Sequence, residues 1–371
     1  MDRHALRAML PITDAVVYLN TGASGPLTTR VQEAGTAALR RQARAADPYE
    51  FAAAVTEDAR EQVAGVVGAS PAAVAFTQST TASINAGILA CELEADETVL
   101  TTSIEHGAVR FPLERQRRRG VNIITIDAPH GRIDRDAYSA AIREADLVVM
   151  SAVSWTHGTA LPVRALTEEA HDAGARVLID AVQAVGQRPV DVHRWGADMV
   201  AFSGHKWLMA PWGVGVLVVG PDAVEALTPA MVGYAGVEPE TPGYAWRPDA
   251  RRFELGTRAV VPLAGLSAAI DQIESVGLDA IARWNRARAQ QLIDDLDGVV
   301  AALGTPGETG IVTLEVDAPD EMVDALAEQG FIVRSIPGLP GALRVSMHIF
   351  TTPAEVSAFA EALTAMVADA R

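Results

Sequence analysis

The sequence predicts an α/β protein, with a large domain on a mostly parallel seven-stranded sheet and a smaller C-terminal α/β domain. Between Val16 and Val219 short β-branched runs alternate with helix-length amphipathic stretches, the pattern of parallel strands with helices on both faces. The 371 residues exceed the size at which one core usually stops growing. A second, shorter α/β alternation follows Gly304-Thr305-Pro306-Gly307. The expected division is 15–255 for the large domain, and 1–14 with 256–371 for the small one.

The strands of the large sheet are expected at Val74 to Thr77, Val99 to Thr101, Ile123 to Ile126, Leu147 to Ser151, Arg176 to Ile179, Met199 to Phe202 and Gly215 to Val219. Helices are expected around Ala82 to Cys91, Ala108 to Arg119, Asp134 to Glu144 and Pro162 to Ala173. Pro162 suits a first helical turn, and Gly174 suits the stop after Ala173. Gly233 to Arg252 is rich in Pro, Gly and aromatic residues without a period, and reads as a long loop. A helical region from Pro262 to Leu296 comes next. The C-terminal block then reads as strand Ile311 to Val316, helix Glu321 to Gln329, strands Phe331 to Arg334 and Leu343 to Ser346, and helix Pro353 to Ala368.

With 49% apolar and 21% charged residues the chain has ample core material. A net charge of −17 argues against nucleic acid or an anionic membrane as partner, because both would be repelled. The basic cluster Arg115, Arg117, Arg118 and Arg119 falls late in an expected helix, where the dipole favours cations and solvation is the ordinary reading. Cys91, the single cysteine, excludes an internal disulfide and fits a reducing cytoplasm. Met1 to Pro11 carries charges and no long apolar stretch, so neither a signal peptide nor a membrane span is expected there.

Lys206 is the only lysine, against 29 arginines. A guanidinium stays protonated and cannot condense with an aldehyde, whereas a lysine can be deprotonated by its surroundings and form a Schiff base. Lys206 is therefore the first candidate for catalysis, although a drift toward arginine would also leave few lysines. Chemistry in parallel sheets gathers at the carboxyl ends of strands, and there Asp180 ends the run Arg176 to Ile179. A buried carboxylate in that place needs a partner such as a pyridinium nitrogen, or serves as a helix cap. Thr77-Gln78-Ser79-Thr80-Thr81 forms a hydroxyl turn between strand and helix, either an anion site or a set of caps. His106 begins another such turn and either lies on a flat ring or packs in the core. Together these groups describe a pyridoxal 5'-phosphate (PLP) site.

At this point the chain resembles the class V aminotransferases, fold-type I PLP enzymes that include cysteine desulfurases and isopenicillin N epimerase. The resemblance is carried by LIDAVQAVGQRPVDV at 178–192 and by the Asp-x-x-Gln and Ser-x-His-Lys spacings, and it runs from Tyr18 to Val356. It implies that Lys206 bonds the cofactor aldehyde and carries the Cα proton. Asp180 would pair with the ring nitrogen, Gln183 would bond the ring oxygen, and His106 would stack on the ring. Thr80, Thr81, Ser203 and His205 match phosphate positions. Thr257 resembles a residue that reaches the phosphate from a neighbouring subunit, which implies a homodimer. Arg334 and Arg344 fall where the family holds the amino-acid carboxylate, to which a planar guanidinium is suited, though in an arginine-rich chain surface charge competes as an explanation.

Two departures shape the functional expectation. The segment Ser335 to Gly341 lacks the cysteine that desulfurases use to accept sulfur, and Cys91 lies elsewhere. Trp155 stands where desulfurases usually have asparagine, a form more like the epimerase branch. The expectation is transamination or C–S cleavage of a small amino acid after Cα deprotonation, with epimerisation or racemisation as the alternative. A non-catalytic PLP-binding protein is the alternative of another class. Nucleotide binding at Gly213-Val214-Gly215 is disfavoured, since no Walker or dinucleotide fingerprint is present. Tyr234, Tyr244 and Trp246 line either the substrate pocket or a dimer seam.

Overall fold

A computed structural model describes residues 1–240, 242–304 and 307–369. Thr241 of the expected loop, and Thr305 and Pro306 of the expected break, lie outside the described residues. The large sheet has seven strands: β1 (Val74–Thr77), β2 (Thr98–Thr102), β3 (Asn122–Ile126), β4 (Leu147–Ser151), β5 (Arg176–Asp180), β6 (Met199–Ser203) and β7 (Gly215–Val219). Their order is β1-β7-β6-β5-β4-β2-β3, and β7 alone runs antiparallel to its neighbours. Strands β4 to β7 are buried along their length except at Arg176, the half-buried first residue of β5, which is why they read as nearly continuous apolar runs without alternation. Apolar clusters cover both faces, one containing Val148, Ile179 and Phe202, the other Val149, Leu178 and Ala201.

A four-stranded antiparallel sheet follows, from β8 (Ala302–Leu303), β9 (Ile311–Glu315), β10 (Arg334–Ser335) and β11 (Ala342–Ser346), in the order β8-β9-β11-β10. The single strand expected at Phe331 to Arg334 is divided. Phe331–Ile332 pairs in parallel with Val17–Tyr18, whereas Arg334 and Ser335 pair with Arg344 and Leu343. The expected helix from Pro262 to Leu296 is two helices, Val260–Val276 and Leu278–Asp295, separated by Gly277 at φ +91, a conformation glycine adopts without steric cost. Within the expected loop at 233–252, Val237–Pro239 and Tyr244–Trp246 pair as a short hairpin.

Leu6 and Leu10 join the core of the large sheet, as do Leu263, Leu266 and Ile270 from the helix after residue 255. Leu19 instead packs with Val312, Val345 and Phe359 beside the small sheet. The N-terminal segment thus crosses from one core to the other. Among the described residues no helix is long and apolar enough to cross a membrane.

Candidate active site

Parallel register places Ser151 and Asp180, the last residues of β4 and β5, side by side, with Ala201 of β6 on the other side of Asp180. Asp180 is 3% exposed. Its Oδ1 accepts a hydrogen bond from the Val182 amide at 2.9 Å. Burial raises its pKa, opposed by that bond and by the charge of Lys206.

Lys206 leaves β6 in a tight turn. The residue is half-buried, and the surrounding protein desolvates its amine enough to lower the pKa to about 8. Asp180 opposes this shift, and Arg344 and Arg334 reinforce it. The turn is held from two sides. Gly25 donates its amide to the His205 carbonyl at 2.8 Å, and a Cβ on Gly25 would stand 2.0 Å from the Lys206 carbonyl oxygen. A Cβ on Gly186, at φ +96, would meet the Trp207 carbonyl carbon at 2.5 Å. Only glycine permits such approaches.

The hydroxyl turn after β1 opens the helix Thr80–Ala90, with Ser79 as N-cap accepting from the Ala82 amide at 3.1 Å. Thr80 Oγ1 donates to Ser203 Oγ at 2.9 Å, which joins two of the expected anion-binding residues across the sheet. Gly215 lets β7 lie against this turn, since its Cβ would meet the Ser79 carbonyl carbon at 2.3 Å. Thr81 is exposed. His205 is held neutral, its pKa lowered to about 4 by burial and by Lys206.

His106 caps the helix Gly107–Arg117, its Nδ1 accepting from the Ala108 amide at 3.1 Å. Its pKa falls to about 4 through desolvation and the charges of Lys206, Arg334, Arg344 and Arg110, so the ring is neutral at pH 7. The ring meets Trp155 edge to face at 5.1 Å between centroids. Gln183 lies below the Lys206 turn, where its Oε1 accepts from Trp207 Nε1 at 2.7 Å and its Nε2 donates to the Gly22 carbonyl at 2.9 Å.

Arg334 and Arg344 are register partners on β10 and β11. Arg344 is 1% exposed, and its Nη1 donates to the Trp155 carbonyl at 2.9 Å. Its Nε and Nη2 are buried without a hydrogen-bond partner, and desolvation lowers its pKa to about 9. Asn20 Oδ1, Thr21 Oγ1, Trp155 Nε1 and Ser346 Oγ are likewise buried and unpartnered. A buried cation without a counter-charge is costly, and a carboxylate is the ligand that would satisfy its two free N–H groups. Thr257 stands apart from this group, exposed and 3.1 Å from the Tyr234 hydroxyl.

Several residues here escaped the sequence reading. Glu105 is buried, accepting from Thr102 Oγ1 at 2.6 Å, the Ser151 amide at 3.0 Å and Ser151 Oγ at 2.5 Å. His348 packs beneath Trp207 and bonds its carbonyl at 2.9 Å through Nε2. That oxygen can only accept, so Nε2 carries the proton and Nδ1, 3.3 Å from Asn285 Nδ2, accepts. Asn20 and Thr21 belong to a segment whose only local signal was its place in the family resemblance.

The Aminotransferase class-V family model matches residues 17–359. Isopenicillin N epimerase from Streptomyces clavuligerus is 31% identical, with 99% of both chains covered. A probable cysteine desulfurase from Methanothermobacter thermautotrophicus is 29% identical over 98% of both. Among solved structures, the apo cysteine desulfurase of Thermococcus onnurineus superposes with a TM-score of 0.91 at 27% identity, covering 99% of this chain and 98% of that one. The chain therefore belongs to the class V aminotransferase family and has its fold-type I architecture.

Proposed function

We propose that this enzyme uses pyridoxal 5'-phosphate to act on a small amino acid by removing its Cα proton, leading to transamination or C–S cleavage. The observation that carries this reading is the meeting of a desolvated amine at Lys206, a buried carboxyl at Asp180 and an unsatisfied buried guanidinium at Arg344. The residues fit the cofactor. Lys206 would hold its aldehyde, Asp180 its ring nitrogen, and His106 and Gln183 its ring. Thr80, Thr81, Ser203 and His205 would hold its phosphate, with Thr257 of a second subunit completing a homodimeric site. When bound, the cofactor supplies an electron sink for the charge left at Cα.

The chain's own residues supply the remainder. Arg344 and Arg334 would grip the substrate carboxylate and fix the Cα–H bond relative to Lys206. A pKa of about 8 leaves an appreciable neutral fraction of the amine near neutrality, able to take the Cα proton and return it. Asp180 in its carboxylate form would keep the ring nitrogen protonated, and the positive partner would in turn stabilise that buried charge.

Cys91 is unsuited to accept sulfur. It is buried, its thiol is pushed up to about 11, and its backbone carbonyl accepts from Arg176 at 3.5 Å. Arg176 starts β5 and Asp180 ends it, so strand rise alone separates the two by about 13 Å. With no sulfur in Ser335 to Gly341 either, a persulfide-forming desulfurase is disfavoured. Trp155 and the likeness to isopenicillin N epimerase favour epimerisation as the second reading. The lone buried thiol fits a reducing cytoplasm.

The test is Lys206→Ala. It should abolish turnover and the visible absorption of bound cofactor, and retained catalysis would refute the assignment. Solvent deuterium appearing at Cα without loss of the amine would select epimerisation, and bound cofactor without turnover of any amino acid would indicate a non-catalytic binder.

A further inference from the structure

A cavity of about 620 Å³ opens beside the candidate site and shares His106, Trp155 and Arg334 with it. Its outer wall is the helix Gly107–Arg117, which contributes Arg110, Phe111 and Arg115. Three arginines therefore face one opening, and no aspartate or glutamate lines it, in a chain of net charge −17.

The other arginines of this region behave differently. Arg117 and Arg118 pair with Glu114, and Arg119 donates to Gln116 at 2.8 Å. Among the described residues Arg110 and Arg115 have no ion-pair or hydrogen-bond partner. Arg110 is near enough for its charge to act on the His106 ring. Phe111 is 72% exposed at the same wall and packs back over Gly107, where a Cβ would meet its ring at 2.9 Å. The opening thus offers an apolar edge ending in cations that lack counter-ions.

We propose that the substrate is an amino acid whose side chain ends in a second acidic group, and that Arg110 and Arg115 recognise that group. The inference rests on the PLP reading above, in which Arg344 and Arg334 hold the α-carboxylate. A second anion on the side chain would then extend from Cα past His106 toward the outer wall. An acidic terminus gains there from both guanidinium groups, whereas an apolar terminus of equal length leaves them unpaired.

The experiment compares L-aspartate, L-glutamate and L-2-aminoadipate with neutral amino acids of matched length, using the holoenzyme. Both kcat/KM and the dissociation constant from the cofactor's spectral shift are read. Acidic substrates should be preferred about tenfold or more, and the preference should shrink as salt rises. Arg110→Ala or Arg115→Ala should lower the acidic-to-neutral ratio about fivefold each, as expected for partly solvated ion pairs. Arg110→Glu should invert it, and Arg118→Ala, outside the cavity, should leave it unchanged. Equal handling of acidic and neutral substrates by a holoenzyme that turns over amino acids would overturn this inference alone. A chain that binds no cofactor would overturn the reading beneath it as well.

Discussion

The indole of Trp207 and the amide of Gln183 share a buried hydrogen bond of 2.7 Å, which ties the residue after the lone lysine to the turn after β5. Gln183 also holds the Gly22 carbonyl, so one side chain links three segments of the site floor. Trp207→Phe removes the indole N–H and leaves Gln183 Oε1 unsatisfied, which should destabilise the fold by about 1–3 kcal/mol, and the smaller ring leaves a void at this fully buried position that adds to the loss. Urea denaturation of the two proteins would measure this, and an unchanged midpoint would show that the bond contributes nothing.

Arg344 should oppose stability and function to each other. Its guanidinium is buried with two nitrogens unsatisfied, so Arg344→Met should stabilise the ligand-free protein, by about 1–3 kcal/mol. The same change should lower kcat/KM by about a hundredfold, the loss expected when a buried charged partner of a substrate carboxylate is removed. Thermal melting and steady-state kinetics on the same preparation would test both halves.

Glu105 should leave a signature in the pH dependence of stability. Burial raises its pKa from 4.5 to about 7, against the pull of Ser151 and Thr102. The folded state therefore binds a proton that the unfolded state releases between these values. Its stabilising contribution is complete below about pH 4.5 and is lost as pH rises to about 7. His348, lowered to about 4, acts in the opposite sense, its contribution being lost as pH falls from about 6.5 toward 4. Comparing Glu105→Gln with the parent across pH 4.5 to 7 isolates the first effect. The variant should show a smaller loss of stability with rising pH.

Cofactor capture should follow the amine of Lys206. Only its neutral form attacks an aldehyde, and its pKa is lowered to about 8. The rate of PLP association should rise with pH and level off above about 8, read from the growth of visible absorption. A plateau displaced to above about 10, the ordinary lysine range, would show that the amine is not desolvated.

Much of this arrangement was legible in the chain. The strands of the large sheet were visible because most of them are buried, short, β-branched and apolar. Lys206 stood out by its uniqueness, and Asp180 by its place at a strand end. What escaped the sequence depends on contacts between distant segments. Nothing local distinguishes Gly25 or Gly186 from other glycines until the Lys206 turn is laid against them. Glu105 reads as an ordinary acid before a helix, and its burial follows from the meeting of β2 with β4. Arg110 was lost among 29 arginines, and Arg115 read as one member of a solvated basic cluster at a helix end. The division of the strand after Phe331 was hidden because Val17–Tyr18, the partner of its first half, lies more than 300 residues earlier.

The two glycines beneath the reactive turn have a further consequence. Because bare backbone presses on that turn from both sides, the lysine's main chain is fixed as the protein folds, and ligand binding has little left to order. Such preorganisation leaves only the side-chain torsions of Lys206 to be restricted on binding. A methyl group added at either contact would displace the main chain that carries the amine, without changing the identity of any ionisable residue of the site.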